Sequence, residues 1–393
     1  EQFNIKEFLQ PISYQAGELT ETLYVQKKYK IKKYDEILYF DIPMKEKSLS
    51  ENYVDLRELI NEISDKIDIF RLVLINQNNV PFFKYVYNFK PKIFFSSSFV
   101  NIDFLSELMF NYDGVPLTFI NYNSTKNITR FYISHFLIDQ FKLEKLAKMV
   151  SSLYFSNKPL PDQSFSYIKY IEYIKQRNKM FNLEEINKLI PESEKVLTDG
   201  LIDNRRNRKY LKINLDNKFK NADEFSLLTF YIFSKIIFFN TNVSKITASM
   251  ISNITIYEGF DATHTIGDTH STFPIFCLRD QDYINFCSNS MNVKKKYING
   301  LNIRDIIFSD YFLENGCKND LLQRWEKMNF SINFIGTTQQ PINKLESLIK
   351  DDYGDKYLLS FVSNNYLYIL LPDKVKIDKL PVFSNYDVEL LNF

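Results

Sequence analysis

The chain has 393 residues with 49 basic against 48 acidic side chains, a formal charge of +1. That length allows two domains or one large bilobal unit with sizeable cores, and the even charge balance argues against nucleic acid as a partner. Three cysteines without Cys-x-x-Cys or Cys/His spacing exclude a disulfide framework and give no metal-ligand pattern, so no metal is expected.

The N-terminal residues 1–6 lack a charged region followed by an apolar one, so no signal peptide is read and a reduced, cytoplasmic location is expected. Leu56, Leu59, Ile60, Ile63 and Ile67 recur at spacings that predict a helix, followed by an apolar strand over 70–75. Strands at 116–122 and 128–133 flank a polar turn at 123–127 and read as a hairpin. The Asn-x-Ser/Thr triplets at Asn123 and Asn127 are expected by chance in so Asn-rich a chain. After Asp139 a stripe of Leu143, Leu146, Ala147, Val150, Leu153 and Tyr154 predicts a helix packed on a sheet.

Residues 156–166, with Pro159 and Pro161, mark the expected boundary between an N-terminal lobe (1–160) and a C-terminal lobe (161–393). The basic run at 205–209 reads as a solvated loop. The apolar stretch 225–239 is too short to span a membrane and is interrupted by Lys235; with a helix-start signal at Asn221 and Glu224 it reads as a core helix. A strand at 246–251, a loop at 262–272, and strands at 330–334, 357–362 and 366–371 complete a second α/β half. Two α/β halves around a central site are therefore expected, with no membrane partner. Trp325 and the many Phe and Tyr are assigned to cores, and a monomer is expected.

The segment Ser134-His135-Phe136-Leu137-Ile138-Asp139 carries the strongest chemical signal. It puts a His at a strand-to-helix junction, four residues before an Asp able to cap the helix. Of the chain's histidines only His264 and His270 remain, in a polar loop where surface or channel-lining roles outweigh a metal pair.

These residues resemble the condensation domains of nonribosomal peptide synthetases, within the chloramphenicol-acetyltransferase-like HxxxD acyltransferase superfamily. The family signature His-His-x-x-x-Asp-Gly reads here Ser134-His135-Phe136-Leu137-Ile138-Asp139-Gln140. Residues 266–275 (Ile-Gly-Asp-Thr-His-Ser-Thr-Phe-Pro-Ile) look like the family's Gly-x-Phe-x-Asn-Thr-Leu-Pro-Leu segment. Weaker matches lie at 11–15 and 167–173, and the ordered set covers most of the chain. The resemblance implies an α/β fold of two chloramphenicol-acetyltransferase-like lobes, a V-shaped pseudo-dimer with a central tunnel. It also implies acyl transfer from a phosphopantetheine thioester, on an acyl or peptidyl carrier protein or on coenzyme A, to an amine or hydroxyl. No bound cofactor is implied. The sequence shows no carrier or adenylation motif and reads as a stand-alone or excised unit, with its closing helix shortened away.

By that resemblance His135 is the catalytic base or positioner, Asp139 a structural anchor, and Gly267, His270, Ser271 and Thr272 channel-lining residues. Ser134 replaces the first motif His, and its hydroxyl suits a local backbone hydrogen bond. Gln140 replaces the motif Gly, which narrows the expected channel or lends an amide. The family's Arg partner for the Asp is missing from residues 249–253. These substitutions motivate an alternative, a degenerate domain that docks carrier proteins or a tailoring enzyme without catalysing. Heterocyclisation is disfavoured because that branch carries Asp where Ser134 stands, whereas epimerisation shares the His-x-x-x-Asp core.

Overall fold

A computed structural model describes residues 37–77, 80–87, 89–111, 114–160, 166–196, 208–215, 219, 221–308, 317–350, 356–372, 375, 377 and 379–392. The sequence segments noted at 1–6 and 11–15, residues 205–207 of the basic run and 161–165 of the Pro-containing stretch lie outside them. The described residues fall into two compact α/β units. One takes those up to Met180 together with Ile254–His270 and residues 299–308; the other takes Phe181–Asn253, Ser271–Ile298 and the described residues from 317 onwards. The units are thus interleaved along the sequence rather than divided at 160/161.

The first unit opens with β1 (Ile37–Pro43), α1 (Leu49–Lys66), a 3₁₀ turn (Asp68–Arg71), β2 (Leu72–Gln77), β3 (Val80–Tyr85), β4 (Ile93–Ser96) and α2 (Ile102–Asn111). It continues through β5 (Val115–Pro116), β6 (Thr118–Asn123), β7 (Ile128–Ser134), α3 (Gln140–Ser156) and α4 (Tyr167–Asn178). Helix α1 starts at a reciprocal capping box between Ser48 and Glu51, and buries Leu56, Leu59, Ile60 and Ile63 on one face. The sheet order is β1-β7-β6-β4, beside a smaller sheet β3-β2-β5. Helix α3 lies against β1 and buries Leu143, Leu146, Val150, Leu153 and Tyr154, the stripe read from the sequence except for Ala147, which is half-buried. The 70–75 strand starts later than expected, at Leu72, because the preceding turn is tied down by the buried Asp68.

The second unit holds α5 (Leu183–Leu189), β8 (Lys209–Asn214), α6 (Ala222–Asn240) and β9 (Lys245–Asn253). The chain then passes to the first unit for the short hairpin of β10 (Ile256–Tyr257) and β11 (Phe260–Asp261). It returns along β12 (His270–Leu278), α7 (Tyr283–Ile298), α8 (Ile303–Phe308, in the first unit), α9 (Cys317–Glu326), β13 (Phe330–Thr337), α10 (Pro341–Lys350), β14 (Tyr357–Ser363), β15 (Tyr366–Leu370) and β16 (Val388–Asn392). A seven-stranded mixed sheet runs β12-β9-β13-β14-β15-β8-β16. Strand β13 is parallel to β14, as a crossover through α10 requires, and also to β9, whereas β14 and β15 form an antiparallel hairpin. Its turn is Asn364-Asn365, both in the left-handed region that a two-residue hairpin turn demands.

Helix α6 lies against β9, β13 and β14 and buries residues on most of its circumference, as the sequence reading of a core helix requires. Trp325 is buried as expected. Among the described residues no helix is long and apolar enough to cross a membrane.

Candidate active site

The β6–β7 hairpin delivers the His135 turn. Asn123 Oδ1 accepts from the N–H groups of Thr125 and Lys126, and Asn127 adopts a left-handed φ of 52°, which closes the connection. The Asn127 amide donates to the Met44 and Lys45 carbonyls, so this Asn is a staple to the end of β1. Strand β7 pairs with both β1 and β6 and ends at Ser134, whose N–H donates to the Leu117 carbonyl at 2.9 Å.

The chain then turns sharply. Leu137 N–H donates to the Ser134 carbonyl at 2.9 Å and Phe136 N–H to Ser134 Oγ at 3.3 Å, the local bond expected of that hydroxyl. Phe136, Leu137 and Ile138 are buried, which leaves His135 as the half-buried polar residue of the turn. Its Nδ1 lies 3.0 Å from the Ile138 carbonyl oxygen. A carbonyl only accepts, so Nδ1 carries the hydrogen and Nε2 is the proton-accepting nitrogen of the neutral ring.

Asp139 is the N-cap of α3, its Oδ1 accepting from Lys142 N–H at 2.8 Å. Gln140 is exposed and its amide reaches Glu144 Oε1 at 3.4 Å along the helix.

The second sequence segment comes to the same place. Asp268 N–H donates to the Leu137 carbonyl at 2.7 Å, inside the His135 turn. Lys142, fully buried, donates from Nζ to the Ala262 and Thr263 carbonyls at 3.0 and 3.3 Å. Lys145 donates to the Thr263 carbonyl at 2.8 Å and lies 3.4 Å from His264 Nδ1. His264 is exposed, as expected. Gly267 is buried under the Tyr167 ring, where a Cβ would fall inside the ring; its absent side chain serves close packing of this loop on α4.

The polar loop expected to hold His270 ends just before it: His270 begins β12, and its Nδ1 pairs with Asp268 Oδ1. Asp268 is fully buried and also accepts from His270 N–H at 3.2 Å. This Asx-type turn fixes the ring with Nε2 as the acceptor in its neutral form. The Asp-x-His spacing was its sequence signal. Ser271 and Thr272 follow on β12 and are buried, and the Thr272 carbonyl accepts from Tyr297 OH at 2.9 Å.

Residues 249–253 belong to β9 in the second unit, where Ser252 Oγ donates to Asp223 and Lys294 forms an ion pair with Asp223. The buried ammonium of Lys142 feels the charge of Asp139. Burial lowers its pKa to about 8, against the opposing charge of Asp139. Sequence reasoning missed Lys142, although its position four residues before Leu146 and eight before Val150 puts it on the buried stripe of α3.

A cavity of about 480 Å³ lies in the same unit, walled by Val73, Val86, Phe89 and Phe119 with Lys84 and Lys92. Thr118, the register partner of Ile133, is part of its wall and sets it beside the strand that leads to His135. Among the described residues no group of three His, Cys, Asp or Glu is arranged to hold a metal ion.

No protein-family model matches the chain, and no curated protein matches it in sequence. Solved structures do. The starter condensation domain of rhizomide synthetase is 10% identical with a TM-score of 0.54, over 90% of this chain and 88% of that one. A structure described as holo T3CT is 9% identical with a TM-score of 0.55, over 94% and 92%. A structure on condensation domain-mediated chain release from the enacyloxin polyketide synthase is 10% identical with a TM-score of 0.50, over 86% and 73%. At this identity the likeness is one of fold: the chain has the α/β fold of condensation domains.

Proposed function

We propose that the chain is a condensation-type acyltransferase that moves an acyl group from a phosphopantetheine thioester to an amine or hydroxyl. The observation that supports this best is the Nδ1 contact of His135 with the Ile138 carbonyl, which makes Nε2 the base. In the reaction the acceptor nitrogen attacks the thioester carbonyl, a C–N bond forms and the nitrogen's proton passes to His135 Nε2. Collapse of the tetrahedral oxyanion breaks the C–S bond, and the departing thiolate takes the proton back from the imidazolium. A positioned imidazole contributes roughly 10²–10⁴-fold to such a step.

Asp139 is the structural anchor of the turn in this reading. Asp268–His270 is a second oriented imidazole, on the segment whose Asp268 N–H is bonded to that turn. An apolar acyl chain suits the cavity beside β6. The donor arm belongs to an acyl or peptidyl carrier protein, or to coenzyme A.

The test is single-turnover transfer from acyl-loaded carriers to a panel of amines and alcohols, read by intact-protein mass spectrometry. The His135→Ala variant is expected to lose roughly 10²–10⁴-fold in rate. Equal transfer by the variant removes His135 from the chemistry. Carrier binding without transfer in the unmodified chain favours a docking platform instead.

A further inference from the structure

Asp139 sits in an unusual balance. One carboxylate oxygen takes the Lys142 N–H, while Oδ2 is buried with no hydrogen bond among the described residues. A buried carboxylate oxygen of this kind needs a compensating charge. Lys142 is three residues on, fully buried, and its ammonium feels the Asp139 charge. Two of the donors of that ammonium go to Ala262 and Thr263, so it also grips the segment whose Asp268 N–H holds Leu137.

Both ends of the His135 turn therefore lead to Lys142, one through its main-chain N–H and the charge of its ammonium, the other through the ammonium's hydrogen bonds. The Ile138 carbonyl that holds the imidazole shares a rigid peptide plane with the Asp139 nitrogen, so fixing Asp139 fixes the carbonyl. The Leu137 carbonyl is fixed from the other side, through Asp268 and the strap at 262–268.

We propose that Lys142 is the positioning residue of this site: its charge, set against Asp139 and bonded to the Ala262 and Thr263 carbonyls, holds the His135 ring in its proton-accepting orientation. The catalytic meaning rests on the acyltransferase reading; the positioning does not. Around the ammonium stand Asp139, Asp261 and Lys145, with His264 on the far side of Lys145. Burial brings its loss of charge to about pH 8, so the charge set against Asp139 is present below that pH and lost above it.

The experiment uses the full chain with ¹⁵N-labelled histidine. Only three histidines occur, and His135→Gln and His264→Gln variants assign the signals. In the unmodified chain the His135 signals are expected to show the Nδ1–H tautomer at neutral pH, with an inflection near pH 8. Lys142→Met is expected to scramble the tautomer at every pH and slow single-turnover transfer by about tenfold or more, with donor affinity within about twofold. Lys142→Arg, which stays charged, is expected to keep the tautomer, restore transfer and abolish the inflection.

An unchanged His135 spectrum in Lys142→Met overturns the proposal, as does a Lys142→Arg variant that folds yet scrambles the tautomer. Should Lys142→Met fail to fold, the unmodified chain still decides, because a His135 spectrum without an inflection near pH 8 overturns the charge dependence. Absence of transfer in the unmodified chain strikes the acyltransferase reading alone, since the spectra do not depend on turnover.

Discussion

Gly267 has no space for even one carbon, because a Cβ there would enter the Tyr167 ring at the start of α4. Tyr167 is itself fully buried and cannot swing into solvent. Gly267→Ala is therefore expected to cost about 1–3 kcal/mol by overpacking, measured as a lowered urea midpoint with an unchanged slope. Tyr167→Leu in the same chain is expected to recover part of that loss, because the residues share one contact. An undiminished midpoint in Gly267→Ala shows that the loop has other room. The sequence marks this glycine, but as a lining residue; the ring that dictates it lies a hundred positions away. The same distance in sequence hides Lys142, whose carbonyl partner Ala262 is 120 residues on. The His135 turn is legible because strand, turn and cap are all local.

Helix α4 begins on a buried acid from another element. Asp68, in the 3₁₀ turn, accepts from Tyr167 N–H, Ile168 N–H and the Ser166 hydroxyl at 3.1, 3.1 and 2.8 Å. These donors satisfy the helix start, where N–H groups lack partners within the helix. Burial pushes the Asp68 carboxyl above its ordinary value, against the pull of those donors and of Arg71. A raised carboxyl contributes stability that is complete below the unfolded-chain value of about 3.9 and is lost as pH rises through the folded-state value. Asp68→Asn carries no such titration. Its urea midpoint is expected to match that of the unmodified chain near pH 4 and to gain on it as pH rises towards neutrality. A pH-independent difference would sink this account of the helix start. At this scale periodicity and caps read well, as Asn221 at the head of α6 shows, its side chain accepting from Glu224 N–H. What periodicity leaves out is the onset of β2, which waits on a turn whose anchor lies beyond it in the chain.

For the molecule as a whole, the departure from a linear reading is the return of residues 254–270 and the segment from Asn299 to the first unit. The returning hairpin packs Tyr257 and Phe260 against Tyr170 and Tyr173, and Tyr173 OH donates to the Glu258 carbonyl at 2.7 Å. Arg177 donates to the same carbonyl, Asn178 donates to Asp305, and Asn302 N–H donates back to Asn178 at 2.8 Å. A chain ending at residue 180 loses all of these, exposes the Lys142 ammonium and bares two aromatic rings that are now fully buried, Tyr167 and Tyr170. Each bared ring costs roughly 1.5–3 kcal/mol, against a total stability of only about 5–15 kcal/mol for a whole domain. The fragment 1–180 is therefore expected to show no cooperative urea transition and to bind a hydrophobic dye, whereas the full chain unfolds cooperatively and leaves the dye unbound. A sigmoidal transition in the fragment would instead establish an autonomous N-terminal lobe. Pro and polar composition around 156–166 points to such a cut, but composition registers where a chain is polar, and the segments that come back to pack on α4 follow it by about eighty residues and more.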